Sequence, residues 1–202
     1  MFAVAGGKGG CGKTTTTLGL ARAAARTGRG VLAVDADADM PDLHGVAGVE
    51  RDPPLDTGPV PDVTQRAAPG FDVVAAPRDD AASESDLRRC RGARDVVLVD
   101  CPAGVGPDAA VPLRVADETL LVTTLEPASL QDAARTAAMS RAVGTPVVGA
   151  VVSRADRVPD GVAELLETQV LGCVPYAPEI VVESAARAAH DRICGYLVSQ
   201  RD

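Results

Sequence analysis

The 202-residue chain is poor in aromatic side chains: it has two Phe, two Tyr and no Trp. Its core must be built from Ala, Val and Leu, and platforms on which nucleic-acid bases could stack are scarce. The five cysteines, Cys11, Cys90, Cys101, Cys173 and Cys194, are odd in number and form no C-x-x-C pair. A disulfide framework and a zinc ribbon are both disfavoured. Cys101 lacks partners spaced for iron–sulfur ligation, and His44 and His190 stand too isolated for a metal site. No basic run offsets a net charge of −8 and a pI near 4.8, which disfavours a nucleic-acid partner. The densest basic stretch, Arg88-Arg89-Cys90-Arg91 with Arg94 beyond it, reads as a solvated helix face. Nothing approaches the roughly 18 apolar residues of a membrane span, and no signal-peptide pattern precedes the first apolar segment. The expectation is a soluble, cytoplasmic protein. A surplus of Asp and Arg suits a salt-rich cytosol.

What is present points to one domain over residues 1–202, with a hydrophobic share of 46%, ordinary for a globular chain. Strand-like and helix-like segments alternate. Strands are expected at 2–5, 31–34, 71–75, 96–99, 118–124, 146–152 and 170–174. Helices are expected at 14–27, 83–91, 129–143 (with Ser129 as N-cap), 161–168 and 180–198 (with a break near Gly195). The stretch 50–70 holds Pro53, Pro54, Pro59, Pro61 and Pro69 and reads as an extended surface loop. Continuous apolar strands separated by helices imply an α/β fold, with a mostly parallel central sheet covered by helices on both faces. Ligands in such sheets bind at the carboxyl ends of the strands. Asp35, Asp37 and Asp100 fall at those ends.

So does a glycine-rich loop. Gly7 to Thr14 fits G-x-x-x-x-G-K-[ST], between a strand and a helix, as a P-loop NTPase requires. Gly7, Gly9, Gly10, Cys11 and Gly12 let backbone N–H groups curl around phosphate oxygens, and the helix N-terminus adds partial positive charge. Lys13 reaches the β- and γ-phosphates, Thr14 sets its hydroxyl on Mg²⁺, and Thr15 bonds the α-phosphate. Lys8 and Lys13 are the only lysines in the chain; the other 18 basic residues are Arg. Lysine is kept where a compact ammonium must enter a loop that a planar guanidinium cannot.

Lys8-Gly9-Gly10-Cys11-Gly12-Lys13-Thr14-Thr15 resembles the deviant Walker A motif of the MinD/ParA ATPases, and weaker likenesses follow in the same order. Val34-Asp35-Ala36-Asp37 is similar to that family's switch I, and Val99-Asp100-Cys101-Pro102-Ala103-Gly104 to its Walker B and switch II. Thr123-Thr124-Leu125-Glu126-Pro127, with Ser129 and Asp132, looks like the segment after its next strand. Cys173-Val174-Pro175-Tyr176 looks like its adenine-bordering loop. The resemblance implies a switch that binds and slowly hydrolyses ATP with Mg²⁺, closes into a homodimer on ATP, and regulates or positions a partner protein. It also implies that Lys8 crosses the interface to the other subunit's phosphates, an arginine-finger role played by lysine. Asp37 is expected near the attacking water and the metal, and Asp100 on Mg²⁺. Asp35 is expected to brace either the switch or the metal shell, and Asp39 and Asp42 to be interface or surface residues. Arg154 and Pro175 are assigned to the nucleotide's adenine end. Ser153 stands where the family often places an adenine-reading Asn, which leaves base preference less firmly specified. Residues 195–202 carry too few cations and too little apolar face for a membrane anchor of the MinD kind. Two other readings use the same loop: a synthetase that activates a carboxylate for amidation or ring closure, with 50–70 as its substrate loop, and a nucleotide-binding module without turnover.

Overall fold

The structure is a computed structural model that describes residues 1–78, 80–176 and 184–199. Eight strands form one sheet in the order β3-β4-β2-β5-β1-β6-β7-β8. They are β1 (Phe2–Ala5), β2 (Val31–Asp35), β3 (Gln65–Ala67), β4 (Phe71–Val74), β5 (Val96–Asp100), β6 (Glu118–Thr123), β7 (Val147–Ser153) and β8 (Val170–Val174). Every pairing is parallel except β3 with β4. The central strands are apolar throughout because both faces are covered. Alternation divides their residues: Phe2, Val4 and Leu98 pack on one side, and Ala3, Ala5, Val97 and Val99 on the other.

The first face is covered by α1 (Lys13–Arg26) and α8 (Ser184–Ser199), which supply Leu18, Leu20, Ile193 and Leu197. The second is covered by α4 (Glu84–Cys90) and α5 (Pro107–Val115), through Leu87 and Leu113. Beside them, α6 (Pro127–Ala142) and α7 (Val162–Leu166) pack Ala133, Ala137, Val162 and Leu166 against β6 and β7. Small residues bring helices close to the sheet and to each other. A Cβ on Gly19 of α1 would lie 2.5 Å from the His190 ring of α8.

Several expectations are corrected. The stretch 50–70 is not an extended surface loop. It holds a 3₁₀ turn (Leu55–Thr57), α3 (Val60–Val63) and β3, and Leu55, Val60, Val63 and Ala67 are buried. Its prolines fix φ and start short helical turns, while the apolar residues between them anchor the segment to the core. Arg89 of α4 pins it by donating to the carbonyls of Leu55 (3.0 Å) and Gly58 (3.3 Å). Ser129 is not an N-cap, because α6 begins at Pro127 with Glu126 in the capping position. Instead its hydroxyl accepts from Thr124 N at 3.0 Å and meets the Thr123 hydroxyl at 3.0 Å. Helix α8 runs through Gly195 without a break, because its buried side packs on α1 and β8. The expected start at Ile180 lies outside the described residues. Like α3, the helices α2 (Leu43–Ala47) and α5 lie where none was expected.

Candidate functional site

The loop Gly6–Gly12 leaves the carboxyl end of β1 and turns into α1. Gly12 has φ +94°, a left-handed conformation that side chains resist, and caps α1 with no side-chain hydrogen bond. The first N–H groups of α1 are thus left for a ligand. The glycines differ in what demands them. A Cβ on Gly7 would lie 2.4 to 2.6 Å from Asp132 of α6, and one on Gly6 would lie 2.4 Å from the Val122 carbonyl. A Cβ on Gly9 would meet nothing within 4 Å, so no packing contact within this chain requires that glycine. Cys11 is buried, with its thiol directed at the Val122 carbonyl at 3.4 Å. Burial pushes that thiol's pKa up.

The loop walls a cavity of about 230 Å³. Lys13, 7% exposed, lines it together with Thr14 and Thr15. Asp37, Asp42 and Arg154 line it as well. Asp100, the last residue of β5, sits beneath. Burial pushes its carboxyl up to about 7, against a hydrogen bond from Thr14 and the charge of Lys13. Its Oδ1 is buried without a hydrogen-bond partner. A buried carboxyl oxygen left unsatisfied beside a threonine hydroxyl is a donor set that fits a hard cation. Among the described residues, no group of three His, Cys, Asp or Glu could hold a metal. An ion here would therefore draw most ligands from phosphate and water, as Mg²⁺ does.

The two switch-like carboxylates act differently. Asp35 is paired in register with Asp100 on the neighbouring strand. Burial first, then the charge of Asp100, pushes it up to about 8. Its two oxygens accept from Asp37 N (3.0 Å) and Leu43 N (3.2 Å), so it ties down the backbone of the loop after β2. Asp37 is half-buried on that loop, and burial raises its pKa too. Its Oδ1 accepts from Met40 N at 3.0 Å.

The remaining expected residues divide. Arg154, at φ +56°, lines the phosphate cavity and a second cavity of about 160 Å³ on the loop's other flank. Lys8 and Cys11 line only the second. Gly7 and Pro175 line neither. Ser153 reaches no open space: its hydroxyl lies 2.5 Å from the Cys11 carbonyl and 3.2 Å from the Thr123 carbonyl, buried between loop and sheet. Sequence reasoning placed no role on Asp42, Val46 or Ala103 in the phosphate cavity. Asp42 was expected at an interface or the surface.

A family model for the CobQ/CobB/MinD/ParA nucleotide-binding domain matches residues 2–188. The chain belongs to the CobQ/CobB/MinD/ParA family. An uncharacterized ATP-binding protein of Methanocaldococcus jannaschii is 29% identical over 202 residues, covering 89% of this chain and 75% of that one. The crystal structure of the Pyrococcus furiosus cell division ATPase MinD superposes with a TM-score of 0.89 at 27% identity, covering 98% of each chain. A septum site-determining protein MinD from Pyrococcus horikoshii, complexed with Mg-ADP, gives a TM-score of 0.86 at 24% identity, with 97% and 94% covered. Among the described residues no helix is long and apolar enough to cross a membrane.

Proposed function

We propose that this protein is a Mg²⁺-dependent ATPase switch that closes into a homodimer on ATP and regulates or positions a partner protein complex in the cytoplasm. One observation carries the reading: the two lysines are divided, with Lys13 inside the phosphate cavity and Lys8 outside it on the other flank of the loop. One ammonium serves the chain's own nucleotide. The other, outside that cavity, serves a second copy's. The relatives' ATP-binding and Mg-ADP descriptions support the choice of ligand.

In this mechanism the loop amides and Lys13 hold the β- and γ-phosphates, and Thr15 holds the α-phosphate. Thr14 and Asp100 would hold Mg²⁺, which would neutralise charge developing on the phosphate oxygens. Asp37 accepts a hydrogen bond from the attacking water and aligns it with the γ-phosphate. The Lys8 ammonium of a second copy stabilises the charge of the transition state, so turnover is slow until two chains meet.

Light scattering with ATP and Mg²⁺ is expected to register a dimer that Lys8→Ala abolishes and Asp37→Ala prolongs. A monomer at saturating nucleotide and metal refutes the switch. EDTA is expected to stop phosphate release, and a pull-down with the Asp37→Ala form is expected to capture the partner complex. The synthetase reading finds less of a free substrate loop in residues 50–70, because Leu55, Val60, Val63 and Ala67 anchor that segment to the core. Measurable phosphate release excludes a binding module without turnover.

A further inference from the structure

A cleft that takes an anion ordinarily carries net positive charge; the lining of the phosphate cavity does not. Its charged side chains are two cations, Lys13 and Arg154, against two carboxylates, Asp37 and Asp42. Asp100 adds a third carboxyl beneath. Two of the three have work of their own: Asp100 in the metal's donor set, and Asp37 toward the attacking water. Asp42 has neither task. It stands at the capping position of α2, yet its side chain makes no capping hydrogen bond, although capping is the ordinary use of an aspartate there. The backbone around it is moored. Leu43 N donates to Asp35 Oδ2 at 3.2 Å, and Val46 N donates to the Asp42 carbonyl at 3.1 Å. The Asp42 charge is thus kept at the cavity wall. It reaches the donor set as well: burial raises the Asp100 carboxyl most, and the charges of Asp37 and then Asp42 add to this.

We propose that Asp42 is a specificity-determining residue that makes the site select metal-complexed nucleotide over free nucleotide. The inference rests on the reading of this cavity as a Mg²⁺-nucleotide site, and adds which residue enforces the metal. A bare polyphosphate brought against this wall meets the Asp42 carboxylate and is repelled. In the metal complex much of the polyphosphate charge is cancelled, and the cation is itself attracted to the carboxylate, so little net repulsion remains. The same charge speeds the departure of ADP once its metal is lost. Asp42 is exposed, so water and salt hold the effect to roughly two- to ten-fold in affinity at low ionic strength.

The test is titration of ADP into the full chain, wild type and Asp42→Asn, once with excess EDTA and once with Mg²⁺. Calorimetry reads it, and NMR where binding is weak. ADP avoids turnover, and asparagine keeps the shape of the side chain. At low salt the variant is expected to bind metal-free ADP roughly two- to ten-fold more tightly than wild type and Mg-ADP about equally, with the metal-free gap closing at high salt. A merely structural role cannot give this gain, since damage to α2 or its loop weakens both forms. Asp39→Asn is the charge control. Asp39 lies on the same loop, exposed, and does not line the cavity, so its change is expected to leave metal-free binding unaltered. Equal or weaker metal-free binding by Asp42→Asn, the same gain for Mg-ADP, or the same gain from Asp39→Asn overturns the proposal and leaves the nucleotide site standing. A wild type that binds ADP in neither condition refutes the Mg²⁺-nucleotide reading, and the proposal with it.

Discussion

Lowering the pH should loosen the contact between α1 and α8 through one buried histidine. His190 is 1% exposed, and its Nε2 has no hydrogen-bond partner. Burial lowers its pKa to about 4 from an ordinary 6.5, with Arg22 and Arg26 adding repulsion and Asp191 opposing it. The folded state thus holds the ring neutral, whereas the unfolded chain protonates it below pH 6.5. Its contribution is fully present above that value and is lost as the pH falls toward 4. With one pKa unit worth about 1.4 kcal/mol, the loss reaches about 2 kcal/mol at pH 5. Gly19 leaves the ring no retreat, since even a methyl there would overlap it. The assay is urea unfolding of wild type and His190→Asn at pH 7.5 and pH 5. Subtracting the variant removes the opposing trend from Asp35 and Asp100, whose raised pKa values favour the folded state as the pH falls. The stability difference between the two proteins should shift by about 2 kcal/mol against wild type. Parallel profiles refute the argument.

Three further outcomes follow from the site. Gly7→Ala drives a methyl into the α6 backbone at Asp132 and should cost about 1–3 kcal/mol in urea unfolding, with weakened nucleotide binding by calorimetry. Ser153→Ala leaves the Cys11 carbonyl without its hydroxyl donor; a stability loss of about 1 kcal/mol and a raised KM with little change in kcat are expected in melting and phosphate-release assays. Asp35→Ala deprives Asp37 N and Leu43 N of their acceptor and should cost about 1–3 kcal/mol, with Asp35→Asn recovering part because it keeps one acceptor oxygen.

The phosphate loop and its flanking strand and helix were legible because the motif, the apolar run before it and the alanine-rich helix after it all specify one turn. Asp100 was legible for the same reason, as an acid closing a continuous apolar strand. The segment 50–70 was misread because its prolines signal a break in periodicity. What holds it in place is distant: Arg89, more than thirty residues along. Helix α5 was hidden by Pro107 and Pro112, although a proline in the first turn is tolerated. Glu126 appeared only as part of a motif, because its partner Lys8 is 118 residues away in sequence. Ser153 was weighed for a base it does not face, since no spacing rule shows that its hydroxyl turns inward.

That inward turn has a mechanical consequence. A single buried hydroxyl fastens the far strand to the middle of the anion cradle, as a guy-rope steadies a mast. An emptied cradle so moored keeps its curvature, and each arriving triphosphate meets a mould already set, without first having to order the chain around itself.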